Sequence, residues 1–322
     1  MAMTTDYEVS GLRIRSDIPL AADPAAEPGD ADLTVVGGRC AEIPWRRPAP
    51  NVIAESFDDA GWPRYSFCGL DDGTTVARFY AFADFAFGRD LRRVTCHRHP
   101  EVSEELAGLL VPGNIVSYVL TMAGRYVLHA SAVELPMGGA VGFVGPTARG
   151  KTTCAALLCA EGCGLVSDDV LVVDLDADVP RCRRGASMLR LRTQQADLVS
   201  RFTRAPAVST TPDGRVGVHP GHLAGDDVPL EAIVVPSPSR DCSAVATKRL
   251  SGSDAVAVLV AMPRIEGWRS PTLVTRLFEQ ATALAQAVPV IQAKIPWGPP
   301  FEPDVGARLV DELARLSSEA LV

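Results

Sequence analysis

The chain has 322 residues, 47% of them apolar, enough for one large domain or two ordinary ones with real cores. Its net charge of −8 argues against a broad nucleic-acid-binding surface. The opening "MAMTTDYEVSG" carries acids where a signal peptide needs an apolar core, and the greasy run Leu106–Met122 is interrupted by Pro112, Gly113 and Asn114. Both features point to a cytosolic protein with no membrane partner.

Residues 1 to about 100 alternate short β-like runs with turns, among them Leu33–Val36, Arg64–Cys68 and Thr74–Phe87. Two helical pieces follow, Ser103–Leu110 and Asn114–Ala123, with Pro112 ending the first. We place a boundary here, so that residues 1–125 form a small β-rich module with two linking helices and residues 126–322 a second domain. In "CHRHP", Cys96, His97 and His99 are potential ligands, but no second cluster at metal-binding spacing accompanies them.

From Tyr126 the texture changes. "YVLHASAVEL", "GAVGFVG", "GLVS" and "VLVVDL" are compact apolar runs of the kind that fill a buried sheet. "KTTCAALLCAEG" between two of them predicts a helix of about three turns, ended by Gly162 or Gly164. Cys159 and Cys163 lie on or near this apolar helix and read as buried thiols. Pro212–Pro229 is too rich in Gly, Pro and Asp for regular structure and reads as a long functional loop. "SDAVAVLVAM", "TLVTRLFEQATALAQAV" and "DVGARLVDELARL" are helical patterns, and "PVIQAKI" is a strand. The whole is an α/β chain.

The chemistry concentrates between Gly145 and Asp169. Gly145, Gly150, Lys151 and Thr152 fit G-x-x-x-x-G-K-[ST], after a strand and at the start of a helix. Glycines let Gly145, Pro146, Thr147, Ala148, Arg149 and Gly150 wrap their amides around a phosphate, and the helix N-terminus adds a favourable dipole. Lys151 would bridge the β- and γ-phosphates of ATP, the Thr152 hydroxyl would hold Mg²⁺, and Thr153 follows beside them. For Arg149 contact with phosphate and exposure to solvent both remain open.

Asp168 and Asp169 end the strand after the helix. A strand–helix–strand crossover sets its strands parallel, which brings the carboxylates to the edge where the phosphate loop lies. One carboxylate can then hold Mg²⁺ and the other take the proton of an attacking hydroxyl.

"VLHASAVEL", "GFVGPTARGKTT" and "GLVSDD" together resemble the HPr kinase/phosphorylase superfamily, whose P-loop fold is related to phosphoenolpyruvate carboxykinase. The resemblance implies a P-loop domain with a mixed sheet. It makes Asp168 the general base for a serine hydroxyl, gives Asp169 and Thr152 the metal, and puts His129 near the reacting phosphate. "YEVSGLRIRSDIPL", "SMLRLRTQQADL" and "AVPVIQAKIPWG" look like the HPr-kinase-like proteins of peptide natural-product pathways, especially lasso peptides. That likeness implies phosphorylation of a precursor-peptide serine, and a family in which homo-oligomers are common. The glycine-containing signature that follows the aspartate pair in bifunctional members has no counterpart, nor has its metal-binding glutamate, so phosphorolysis is not implied.

"RCRRGASMLRLR" holds five arginines in twelve residues, and alternation puts Arg190 and Arg192 on one side of a strand. Either ATP phosphates or an acidic acceptor would suit their guanidinium groups, as would a solvated edge strand. His219 and His222 lie on the long loop and read as surface histidines, with part of an acceptor lid as the other reading. Three functions follow: a kinase of a peptide or small-protein serine, a kinase of a small-molecule alcohol, and a nucleotide-binding regulator with little turnover.

Overall fold

Short apolar alternations separated by Gly- and Asp-rich turns do become strands, and the computed structural model describes them across residues 4–27, 29–185, 187–202 and 206–319. Two compact units form, Met1–Ala123 with Ile265–Arg276, and Gly124–Arg264 with Leu277–Val322.

In the first unit β1 (Thr5–Val9), β2 (Leu12–Ser16), β3 (Leu33–Cys40), β4 (Asn51–Phe57), β5 (Pro63–Gly69), β6 (Thr75–Phe79), β7 (Ala83–Phe87) and β8 (Arg93–Arg98) make one sheet. Their order is β1-β2-β3-β8-β7-β6-β5-β4. The run Thr74–Phe87 is a hairpin rather than one strand, turning at Ala81, whose φ is +55°. Helix α1 (Glu104–Gly108) starts on an N-cap from Ser103, and α2 spans Val116–Met122.

Pro112 does not end the helix as the sequence suggests. A π-helical turn, Val111–Ile115, joins α1 to α2, with Pro112 in its first positions, where a missing N–H costs no hydrogen bond. The resulting stretch Glu104–Met122 is long and apolar enough to cross a membrane, and 61% of its most apolar part is buried inside the protein.

Residues Ile265–Arg276, on the far side of the 125/126 boundary, pack with this first unit. Trp268 stacks over Tyr118 at 6.2 Å, and Arg269 pairs with the buried Glu55 at 2.9 Å.

The second unit runs β9 (Tyr126–Leu128), β10 (Ala130–Glu134), β11 (Ala140–Val144), α3 (Lys151–Ala160), β12 (Gly164–Ser167), β13 (Leu171–Asp174), β14 (Arg181–Arg183), β15 (Leu189–Leu191), β16 (Ala207–Thr210), β17 (Val216–His219), β18 (Asp227–Ser239), β19 (Ala246–Arg249), α4 (Gly252–Val260), β20 (Val290–Pro296) and α6 (Val305–Glu319). Helix α5 spans Pro271–Ala287. The sheet is mixed, in the order β12-β10-β11-β18-β14-β13-β9, with β20 on β18 and β19 on β20. The long β18 serves as its spine, pairing parallel with β11 and β20 and antiparallel with β14.

Two departures from the sequence reading decide where the site lies. "YVLHASAVEL" is broken at His129, so that β9 pairs with β13 while β10 joins β11 and β12. Strands β11 and β12, which flank α3, do run in the same direction, but β10 lies between them and antiparallel to both. The start of β10 therefore meets the ends of β11 and β12 at one edge. His129, Ser131, the phosphate-binding loop and Asp168 converge there from separate parts of the chain.

The segment Pro212–Pro229 is more regular than its composition suggests. It contains β17 and the start of β18, and β15, β17 and β16 form a three-stranded sheet among the described residues. Helix α3 is buried nearly all round and packs with Phe143, Leu191, Ile295 and Leu309 in the main core. The loop before α3 is thus mounted on an element buried in the core of this unit.

Candidate active site

The loop Gly145–Gly150 leaves β11 and enters α3 through Gly150, whose φ is +89°. A Cβ there would lie 2.3 Å from the Trp297 ring, so only glycine fits by both conformation and space. The Lys151 ammonium donates to the carbonyls of Gly145 (2.7 Å) and Pro146 (3.2 Å), folding back on its own loop. Thr147, Ala148, Gly150, Lys151, Thr152 and Thr153 line a cleft of about 290 Å³, at the lower edge of the roughly 300–1,000 Å³ typical of small-molecule sites. Gly145 and Pro146 reach it through Lys151, and Arg149 is exposed.

His129, Ser131, Asp168 and Asp169 form the opposite wall. Asp168 is buried, and three donors satisfy it: Ser131 Oγ at 2.6 Å and Thr152 Oγ1 at 2.8 Å on Oδ1, and the Arg190 amide at 2.9 Å on Oδ2. Burial pushes its carboxyl above the ordinary range; the Ser131 and Arg190 bonds pull it down, the Asp169 charge adds to the rise, and Thr152 again opposes.

Asp169 has different company. His129 Nδ1 lies 3.1 Å from its Oδ1, and an Arg264 nitrogen 2.8 Å from its Oδ2. Burial opposes its ionisation too, but the Arg264 guanidinium and the His129 ring outweigh that and hold the carboxyl far below the ordinary range. The Thr152 hydroxyl therefore sits on Asp168, and Asp169, which the sequence reading joins to Thr152, faces the Arg264 guanidinium and the His129 ring instead. Segment Met262–Arg264 reinforces this corner: Met262 accepts the His129 amide, and the Arg264 amide donates to Val127.

Backbone strain gathers at the same place. Ala148 (φ +66°) and Asp169 (φ +73°) both hold left-handed conformations and both line the cleft. Such residues cost about 1–3 kcal/mol each and cluster at functional sites.

Arg190 and Arg192 line the third wall with Gln194, Gln195 and Arg215. Arg190 pairs with Asp213 at 2.5 Å, and Arg215 reaches the same oxygen at 3.2 Å. Gln195 donates to Thr153 Oγ1 at 2.6 Å, tying this wall to α3. Trp297 and Pro299 close the cleft beside Gly150.

Sequence reasoning missed Ser131, Asp213, Arg215, Arg264 and Trp297 as site residues. Ser131 stands two positions after His129, and a period-two reading of the run "LHASAVE" would have turned both the same way. Trp297 had a signal in "IPWG", whereas nothing local marks Arg264. His219 and His222 lie elsewhere, with His222 Nδ1 2.9 Å from the Gly162 carbonyl oxygen. Cys96 is buried and its thiol is pushed up to about 12 by that burial, while His99 pairs with Glu42 at 2.9 Å.

The residues fit a magnesium–triphosphate group by their chemistry. Lys151 rests on carbonyls that phosphate oxygens would replace, and a hydroxyl and carboxylates offer the hard oxygen donors that Mg²⁺ takes alongside phosphate. No family model matches the chain, and no curated protein matches its sequence. Among solved structures, the Hpr(Ser) kinase/phosphatase from Coxiella burnetii is similar over 61% of this chain and 93% of its own, at 12% identity and a TM-score of 0.32. A likeness of that size carries no functional weight, and the reading below rests on the residues of the cleft.

Proposed function

We propose that the chain is an ATP-dependent O-phosphotransferase acting on a serine hydroxyl of a peptide or small protein. The observation that carries the reading is geometric: the acidic doublet and the phosphate loop line one cleft, with the Thr152 hydroxyl 2.8 Å from Asp168 and Arg264 2.8 Å from Asp169. Two adjacent carboxylates on the phosphate-loop cleft are pushed in opposite directions, Asp168 up and Asp169 down. Such a split separates a group suited to accept a proton from one suited to stay charged.

In this mechanism the loop amides and Lys151 hold the donor phosphates. Asp168 receives the proton of the acceptor hydroxyl as its oxygen bonds to the terminal phosphorus and the bond to the nucleoside diphosphate breaks. Asp169 remains anionic under Arg264 and would offer Mg²⁺ a charged oxygen, and Thr152 would offer its hydroxyl once released from Asp168; the metal would supply neutralisation of phosphate charge when bound. His129 orients Asp169. The cleft residues carry the phosphotransfer; a peptide serine as its acceptor is only what the resemblance of the sequence motifs implies.

A second reading is favoured by the 2.8 Å contact between Thr152 and Asp168. There Asp168 holds the metal beside Thr152, and Asp169 with His129 takes the proton. Measuring nucleotide binding with and without Mg²⁺ in Asp168→Asn separates the two. The first reading expects transfer to vanish and Mg²⁺-dependent affinity to stay within about threefold; loss of the Mg²⁺ dependence selects the second. The acceptor is tested by incubating the protein with γ-labelled ATP, Mg²⁺, serine-containing peptides and small alcohols. Label on peptide serine supports the proposal, label only on a small alcohol replaces its acceptor, and no consumption of ATP overturns it.

A further inference from the structure

Arg190 does two things at once. Its amide donates to Asp168 Oδ2 at 2.9 Å, and its guanidinium pairs with Asp213 at 2.5 Å. A guanidinium in a cleft with two carboxylates is drawn toward them, and the field of Arg190 already reaches Asp169. If it moved onto the doublet it would neutralise the charge that a metal and a proton acceptor require. Asp169 already has a cation of its own in Arg264 at 2.8 Å.

Asp213 is built to compete for Arg190. It lies in the Thr211–Arg215 turn between β16 and β17, which Gly214 allows with φ +76° and which the Thr211 amide closes on the Arg215 carbonyl at 2.9 Å. Thr211 Oγ1 donates to Asp213 Oδ1 at 2.5 Å and accepts the Arg215 amide at 3.1 Å. Asp213 Oδ2 takes Arg190, and Arg215 Nε stands 3.2 Å from it. Both carboxylate oxygens are engaged. The pairing of β15 with β17 sets Arg190 opposite Gly217, four residues beyond Asp213, so the turn and the arginine are carried by the same three-stranded sheet.

We propose that Asp213 is a positioning residue for phosphoryl transfer: it holds the Arg190 guanidinium on the cleft wall, beside the transferred phosphate and off the Asp168–Asp169 pair. The alternative is an ion pair that only staples the hairpin. This inference rests on the transferase reading, and the experiment keeps the two apart.

The test compares wild-type protein, Asp213→Asn, Asp213→Glu, Arg190→Lys and the Asp213→Asn/Arg190→Lys double variant. Asp213→Asn is expected to lower kcat by about 10²-fold, the low end of the range for loss of one oriented donor, with KM for MgATP moved less than about threefold. Asp213→Glu recovers part of that loss. The double variant falls no further than the worse single variant, because both changes undo one placement. Normal turnover in Asp213→Asn, or losses that multiply in the double variant, overturns the proposal.

The Arg190 Nε–H NMR signal, assigned by its loss in Arg190→Lys, reads the placement without catalysis. Slow guanidinium rotation in the wild type and faster rotation in Asp213→Asn is expected, and no change between them defeats the role of Asp213 while leaving the transferase reading intact. Absence of transfer by wild-type protein that shows the expected NMR contrast defeats the transferase reading, and the catalytic role of Asp213 falls with it.

Discussion

The surroundings of Asp168 and of Asp169 are one residue apart in sequence and opposite in character. Asp168 is met by two hydroxyls and a backbone amide, neutral donors that solvate a carboxylate without cancelling its charge. Asp169 is met by a guanidinium and an imidazole. Neutral donors in a buried place leave the proton affinity high, whereas a fixed cation removes it. One strand end can thus present two carboxylates of different function, because the left-handed turn at Asp169 (φ +73°) gives the second side chain different partners, Arg264 and His129.

The largest effect expected from this contrast is on transfer. Asp168→Asn should lower kcat by about 10²–10⁴-fold, the range for loss of a positioned proton acceptor, and a near-normal rate would end the assignment. The wild-type rate should also fall with decreasing pH at a point above 3.8, since Asp168 has to be ionised and its folded value is raised from there.

Asp169 has the reverse sign. Its lowered folded value contributes stability that is fully present above 3.8 and lost as pH falls toward that folded value. Asparagine tolerates the left-handed turn, so Asp169→Asn removes the charge without new strain. It should cost about 2 kcal/mol at pH 7, a fall of roughly 4–8 °C in Tm, with the gap to wild type closing below about pH 4. Together these two windows define an acidic interval in which the fold persists and transfer is already lost. Thermal melts and rates on one pH series would show it, and coincident loss of both would remove the contrast.

The smallest effect belongs to Ser131→Ala. Removing one of the three donors to Asp168 should cost about 1 kcal/mol and move the acidic limb of the rate profile upward, since that bond lowers the Asp168 value. A downward move would mean that Ser131 does not act on Asp168.

What could be read in the sequence was what lies on contiguous chain. Gly145–Thr153, the helix behind them and the aspartates after the next strand are a loop, a turn count and a strand end, all local. His129 was legible only through a resemblance, because its importance comes from the switch of the chain between strand partners. Arg264, Asp213 and Trp297 arrive by tertiary pairing and leave no periodic trace. Pro112 misled because a π turn removes the penalty on which a proline break depends. The stretch after Pro212 misled because a hairpin can be written almost entirely in turn residues.

The first unit owes part of itself to a segment written more than a hundred residues later. Severing the chain after residue 125 to prepare an N-terminal fragment would leave Tyr118 without the indole of Trp268 and Glu55 without the guanidinium of Arg269. An aromatic face and a buried acid would be uncovered by the cut itself. A fragment ending there should aggregate or unfold, whereas one with residues 265–276 joined back through a short linker carries its own missing piece.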